Sequence, residues 1–221
     1  MQGTRSSVPS NLETRRLGWL LVLIVVQFVA AMVIAQAAYP GYSDVTNYIS
    51  DLGNTATSPL WWVLDSSVVV LGIGMALAAY RFTALLPRSR RSAVGSGLVS
   101  ISGVGFVLVG LAPENVSLGV HTLATLLVFG CAVPGLVLSA SPMRGAQALP
   151  RWGGTSALAT SVTMLVFFGL LVAAESSSFL VAAGVGIPGL LERLAIAPLL
   201  VWLAVVGIAL IKGSTTAMEG P

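Results

Sequence analysis

Six long apolar stretches, at roughly 17–38, 60–86, 92–112, 119–140, 153–175 and 190–211, take up most of the chain. Each is close to or above the ~20 residues a helix needs to cross a bilayer. With 56% of 221 residues hydrophobic and 9% charged, a soluble domain of this size has nowhere to hide its apolar side chains. Lipid must therefore be the main solvent. The expected fold class is all-α: one bundle of six transmembrane helices over 15–212, with short tails at 1–14 and 213–221. The run "LGWLLVLIVVQFVAAMVIAQAA" carries no charge and is longer than the ~7–15-residue core of a cleaved signal. It reads as an anchor, although "AQA" at 35–37 imitates a cleavage site.

Charge sets the orientation. If the chain starts inside, Arg5, Arg15, Arg16, Arg81, Arg88, Arg90, Arg91, Arg144, Arg151 and Lys212 all fall on the cytoplasmic side. Only Arg193 does not. This positive-inside bias predicts cytoplasmic termini in a multi-pass protein of the cell membrane. The net charge of +3 therefore reports topology rather than a nucleic-acid partner, for which no basic face with stacking groups exists. The single cysteine, Cys131, excludes an intrachain disulfide and a cysteine metal cluster. Nothing calls for a cofactor. Pro134 and Pro198 are expected to kink the fourth and sixth helices unless neighbours restore the lost hydrogen bond. In the third stretch Gly95, Val99 and Gly103, and likewise Ser92, Ser96 and Ser100, recur every four residues. Such a small face suits close helix packing, within the chain or in a homo-oligomer. Residues 176–189 are apolar but too short to span, and are expected to form an interfacial helix or re-entrant loop.

The acids cluster opposite the arginines. Asp44, Asp51, Asp65, Glu114, Glu175 and Glu192 all fall at the outer side, a segregation the topology rule does not require. Most of the polarity lies in "YPGYSDVTNYISDLG" at 39–53. Read as a short helix with Ser43 as N-cap and Gly53 as its end, it places Asp44, Asn47, Tyr48 and Asp51 on one face. The alternative is a wet surface loop. Arg193 starts an apolar helix against the charge trend and needs an anionic partner. Asp51 and Glu114 are the candidates, since Glu192 is adjacent and points elsewhere. Arg193 then either locks the segment to the sixth helix or clamps an anionic headgroup. His121, at the start of the fourth helix, is a candidate acid–base group or a structural hydrogen-bonding residue. Ser50 with His121 and Asp51 or Glu114 has the composition of a nucleophilic triad without a nucleophile-elbow motif. One histidine with carboxylates is a poor zinc set, so no metal is expected. Asn115-Val116-Ser117 matches a glycosylation acceptor.

The motifs "PGYSDVTNYISDLG", Pro113-Glu114 with His121, and Gly189-Leu190 with Arg193 resemble the membrane family called domain of unknown function 998. The resemblance covers about 15–212 and implies six spans and a shared outer site, but no reaction. Asp65 stands where the family pattern has an amide. The candidate catalytic set is Ser50, Asp51, Glu114 and His121. The candidate binding set is Tyr42, Asn47, Tyr48, Glu192 and Arg193. The expected function is to bind or process a membrane lipid or anionic headgroup. A non-catalytic accessory subunit is the alternative, and a small-solute transporter a weaker one.

Overall fold

The computed structural model describes residues 10–176 and 186–216. All its long elements are helices: α1 (Asn11–Ala38), α2 (Trp61–Phe82), α3 (Arg90–Leu111), α4 (Leu118–Arg144), α5 (Gly153–Ser176) and α6 (Pro188–Thr216). Short 3-10 turns occupy Ser50–Gly53 and Thr83–Leu85. All six helices are long and apolar enough to cross a membrane. Several begin or end beyond the apolar runs, because polar caps extend them. Ser10 and Glu13 cap α1 reciprocally, with Ser10 N–H donating to the Glu13 carboxylate at 2.8 Å. Ser89 Oγ accepts the Ser92 N–H at the start of α3. The helical run continues through Pro134 in α4 and Pro198 in α6. Of the segment expected at 176–189, residues 177–185 lie outside the described residues, while Ser176 ends α5 and Pro188 and Gly189 begin α6.

Each helix packs on its two neighbours, in the order α1, α2, α3, α4, α5, α6 and back to α1. The helices therefore form a closed ring. Inward side chains such as Leu71, Met75, Leu136, Met164, Leu199 and Val206 fill it. Outward ones such as Leu23, Ile73, Leu123, Leu165 and Val201 are exposed, which in water would drive aggregation and in a bilayer makes a lipid face. Lipid tails are as apolar as these side chains, so close backbone packing must supply much of the helix–helix affinity. Glycines provide it at most seams. A Cβ on Gly72 would stand 2.5 Å from the Gly103 carbonyl, and one on Gly103 2.7 Å from the Gly72 carbonyl. Gly95 packs against Gly135 and Ser139 of α4, and Gly18 of α1 against Gly207 and Ile211 of α6. The small-residue face of α3 thus closes contacts to both of its neighbours in the ring.

The ring has two unlike ends. One carries the N-terminal turns of α1, the α2–α3 and α4–α5 connections, and the exposed Arg16, Arg81, Arg88, Arg90, Arg91, Arg144 and Arg151. The other carries residues 39–60, folded over the mouth of the ring as a lid. Exposed aromatic side chains mark both levels, with Trp61 and Trp62 near the lid and Trp19, Tyr80 and Trp152 at the arginine end. Along α2, Trp62 and Tyr80 are about 27 Å apart, close to the thickness of a hydrocarbon core.

Because Gly103 meets backbone and Gly97 meets nothing within 4 Å, the two separate packing from helix propensity. Gly103→Ala is expected to lower stability by about 1–3 kcal/mol. Gly97→Ala, on the same helix, is expected to leave it unchanged or slightly raised. Thermal unfolding of both variants in one detergent measures the difference.

Candidate functional site

The lid is not a continuous helix. Pro40 and Gly41 turn the chain immediately after α1: Tyr42 N–H donates to the Tyr39 carbonyl at 3.3 Å, and Gly41 takes φ of 75°, as the third residue of a type II turn requires. Side chains then capture the backbone donors that a helix would use. Ser43 N–H goes to Asn47 Oδ1 (3.1 Å), Val45 N–H to Ser43 Oγ (3.3 Å) and Tyr48 N–H to Asp51 Oδ2 (2.9 Å). These local bonds compete with helical ones and win, leaving one helical turn at Ser43–Asn47 and the 3-10 turn at Ser50–Gly53. The expected helix over 43–53 is therefore corrected to a side-chain-capped loop.

The expected partner of Arg193 is corrected too. Its guanidinium meets Asp44 rather than Asp51 or Glu114, with Nη2 2.8 Å from Asp44 Oδ1. Nη2 also donates to the Tyr42 hydroxyl at 2.6 Å, and Nη1 donates to the carbonyls of Asn47 and Gly189, both at 3.0 Å. Asp51 is unavailable because its Oδ2 also accepts Asn47 Nδ2 at 3.1 Å. Glu114 is engaged by the Ser50 hydroxyl, which donates to it at 3.0 Å. Gln36 at the end of α1 donates to Asp44 as well. The Arg193 side chain is 16% exposed and that of Asp44 65%, so the ion pair itself is wet, while the bonds to carbonyls and phenol are sheltered.

Further ties join the lid to every neighbouring wall. The Tyr42 hydroxyl donates to the Tyr48 carbonyl at 2.7 Å. Tyr48 donates to Glu175 at the end of α5 (2.9 Å), Ile49 N–H donates to Glu192, and Leu190 N–H donates to the Val45 carbonyl (3.1 Å). Asn115 exchanges two bonds with Thr55. Burial, and then the bond to the Glu175 carboxylate, push the Tyr48 phenol above its ordinary range. Burial also raises that of Tyr42, against the lowering pull of Arg193. Both therefore remain neutral donors at physiological pH. Gly189 abuts the Asn47 carbonyl and Gly53 the Asp65 carboxylate so closely that a Cβ would collide with either.

Beneath the lid lies a cavity of about 100 Å³. Its walls are mostly apolar, with Phe28, Val68, Phe106, Val128, Phe129 and Ile196 among them. Its polar lining comes from Ser50, Asp65, His121, Thr125 and Glu192. His121 Nδ1 lies 3.0 Å from the Ala112 carbonyl. A carbonyl only accepts, so Nδ1 carries a proton, and in the tautomer that this bond selects Nε2 is the acceptor. Asp65 is 8% exposed, and its Oδ2 has no hydrogen-bond partner among the described residues. Of the candidate residues, Ser50, His121 and Glu192 thus meet at the cavity, with Glu114 behind Ser50. Asp51, Tyr42, Asn47, Tyr48 and Arg193 hold the lid instead. Among the described residues no hydrogen bond joins Ser50 to His121, nor His121 to an acid. No group of three or more His, Cys, Asp or Glu among the described residues is placed to hold a metal ion. The residue that sequence reasoning undervalued is Asp65. Its signals were a carboxylate one turn inside an apolar helix, its place among the outer acids and its departure from the family's amide.

The bond pattern ranks the lid substitutions. Arg193→Ala, and also Arg193→Lys, are expected to loosen residues 39–53, because an ammonium cannot reproduce the planar fork that serves two carbonyls, a phenol and a carboxylate. Tyr42→Phe is expected to cost about 1–3 kcal/mol, since it strands a charged donor and a carbonyl. Asp44→Asn is expected to cost under ~1 kcal/mol, because an exposed ion pair contributes little. Amide hydrogen exchange at Ile49 and Leu190 reports the order.

No curated protein and no solved structure matches the chain. A family model described as "Protein of unknown function (DUF998)" matches residues 22–209, a span that takes in the lid and reaches all six helices. The chain belongs to the DUF998 family of multi-helix, membrane-type proteins of unknown function.

Proposed function

We propose that this membrane protein binds the end of a lipid or similar amphiphile in the cavity under its lid, with the lid on the extracytoplasmic side of the cell membrane. The observation that carries this reading is the make-up of the cavity. Aromatic and aliphatic side chains form most of its wall, and a few polar groups from the lid, α2, α4 and α6 line the remainder. That is the usual composition of a small-molecule site, in which apolar walls supply affinity and a few polar groups fix orientation. A volume of about 100 Å³ holds several waters or a compact head with a short stretch of chain rather than a whole lipid. The opposing arginine end supports the orientation through the positive-inside rule. Arg193 belongs in this reading to the lid, since its four hydrogen-bonding contacts occupy the guanidinium.

A catalytic reading rests on the same residues. The Ser50 hydroxyl donates to the Glu114 carboxylate, the contact by which a base polarises a nucleophile. His121 has one ring nitrogen held and the other free. In that case the bound amphiphile is a substrate.

The test is lipid profiling of the protein purified in native-membrane nanodiscs. Wild type is expected to carry one lipid class enriched over the surrounding membrane. Val109→Phe and Thr125→Phe, two separate ways of filling the cavity, are expected to lose that enrichment while retaining their unfolding temperature to within a few degrees. A profile equal to bulk membrane in wild type overturns the binding reading. A product lipid that disappears in Ser50→Ala while the bound lipid stays favours catalysis over binding alone.

A further inference from the structure

The hydrogen-bond inventory of the cavity says which head group it suits, given the amphiphile-binding reading above. The Ser50 hydroxyl donates its hydrogen bond to Glu114, so toward any further partner its oxygen offers lone pairs. His121 directs its Nδ1–H at the Ala112 carbonyl, the tautomer in which Nε2 is an acceptor. Glu192 accepts the Ile49 N–H on Oε2 and keeps Oε1. Asp65 makes no side-chain hydrogen bond among the described residues, and its Oδ2 is shut off from solvent. Apart from the Thr125 hydroxyl, each polar side chain lining the cavity offers acceptors. A buried carboxylate without a donor is costly, and it is relieved by taking up a proton, by an ordered water, or by a cation or donor that arrives with a ligand.

The surroundings carry the same sign. Asp44, Asp51, Asp65, Glu114, Glu175 and Glu192 gather at the lid end, against Arg193 alone, and Arg193 is paired with Asp44. A low-dielectric mouth lined by one sign of charge concentrates the opposite ion. Among the described residues no group of three or more His, Cys, Asp or Glu is placed to hold a metal ion, so an organic cation fits the cavity better than a bare one.

We propose that the cavity takes a positively charged amine head, with Asp65 as its counter-ion, Glu192 and His121 as further acceptors, and the phenyl-lined wall holding the start of the ligand's hydrocarbon chain.

The experiment uses full-length protein in phosphatidylcholine nanodiscs, probed with dodecylamine, dodecan-1-ol and dodecanoate at neutral pH and read by native mass spectrometry. The three probes share a chain length and differ in head charge. Empty discs and the cavity-filled Val109→Phe protein correct for partition into the bilayer. One-to-one occupancy by the amine is expected to exceed that by the alcohol roughly tenfold, with the carboxylate weakest. Asp65→Asn is expected to bring the amine down to the level of the alcohol, and Glu192→Gln to lower it in part. Equal retention of amine and alcohol by wild type overturns the charged-head proposal and leaves amphiphile binding standing. Retention of none of the three above the Val109→Phe background overturns both. Because the comparison among probes is made on wild type, a poorly folding Asp65→Asn does not blunt it.

Discussion

One guanidinium holds together chain that has few helical hydrogen bonds of its own. Within a bilayer irregular backbone is tolerated only where protein or water satisfies its polar groups, and at the bilayer edge this lid draws many of its bonds from protein. Arg193 provides that satisfaction from a rigid position, the first turns of α6. It ties the carbonyl of Asn47 in the lid to that of Gly189 in its own helix, and it fixes Tyr42, which in turn holds the Tyr48 carbonyl. Remove it and the lid keeps its internal Asp51 and Asn47 bonds but loses its main anchor to the bundle. The neighbouring Glu192 works on the same segment from the cavity side, through Ile49. Two consecutive residues of one helix thus serve opposite faces of one loop, which follows from the ~100° between successive side chains.

The ring beneath sets what that anchor can achieve. Six helices in a closed circuit leave a central space that side chains must fill, and they fill it less completely near the lid. There the lining passes from aliphatic residues to Asp65, His121 and Glu192. Closeness at the seams comes from glycine, as at Gly72 against Gly103. The rigidity that fixes the cavity walls and the polar groups that give it chemical character therefore have separate origins in the sequence, in small residues along the helices and in charged residues at their ends.

That separation explains what could be read in advance. The six spans and the all-helical class were legible because apolar runs of bilayer length are a one-dimensional signal that tertiary contacts do not alter. Arg193 stood out because it broke the charge trend. Its partner was not legible. Asp44, Asp51 and Glu114 are chemically equivalent in a string of letters, and the choice among them was made by a reversal at Gly41 and by prior engagement of the other two. The spacing argument was half right. Asn47 and Asp51 do meet at i, i+4, but through a side-chain bond in a loop rather than across a helix. Asp65 was noticed only as a neighbour of the site, because its place in the cavity depends on how α2 is rotated against the lid.

The seam between α1 and α6 has a further consequence. Gly18 near the start of the chain packs on Gly207 and Ile211 near its end. During synthesis the first helix enters the membrane with one groove prepared for α6, which follows only after four other helices. Until then that groove must be covered by lipid or by the translocation machinery, and neither fits a glycine notch closely. The ring can close, and the lid can find Arg193, only when the sixth helix has been delivered. Assembly of the site therefore waits for α6, and a chain truncated before it keeps the lid residues without the arginine that holds them.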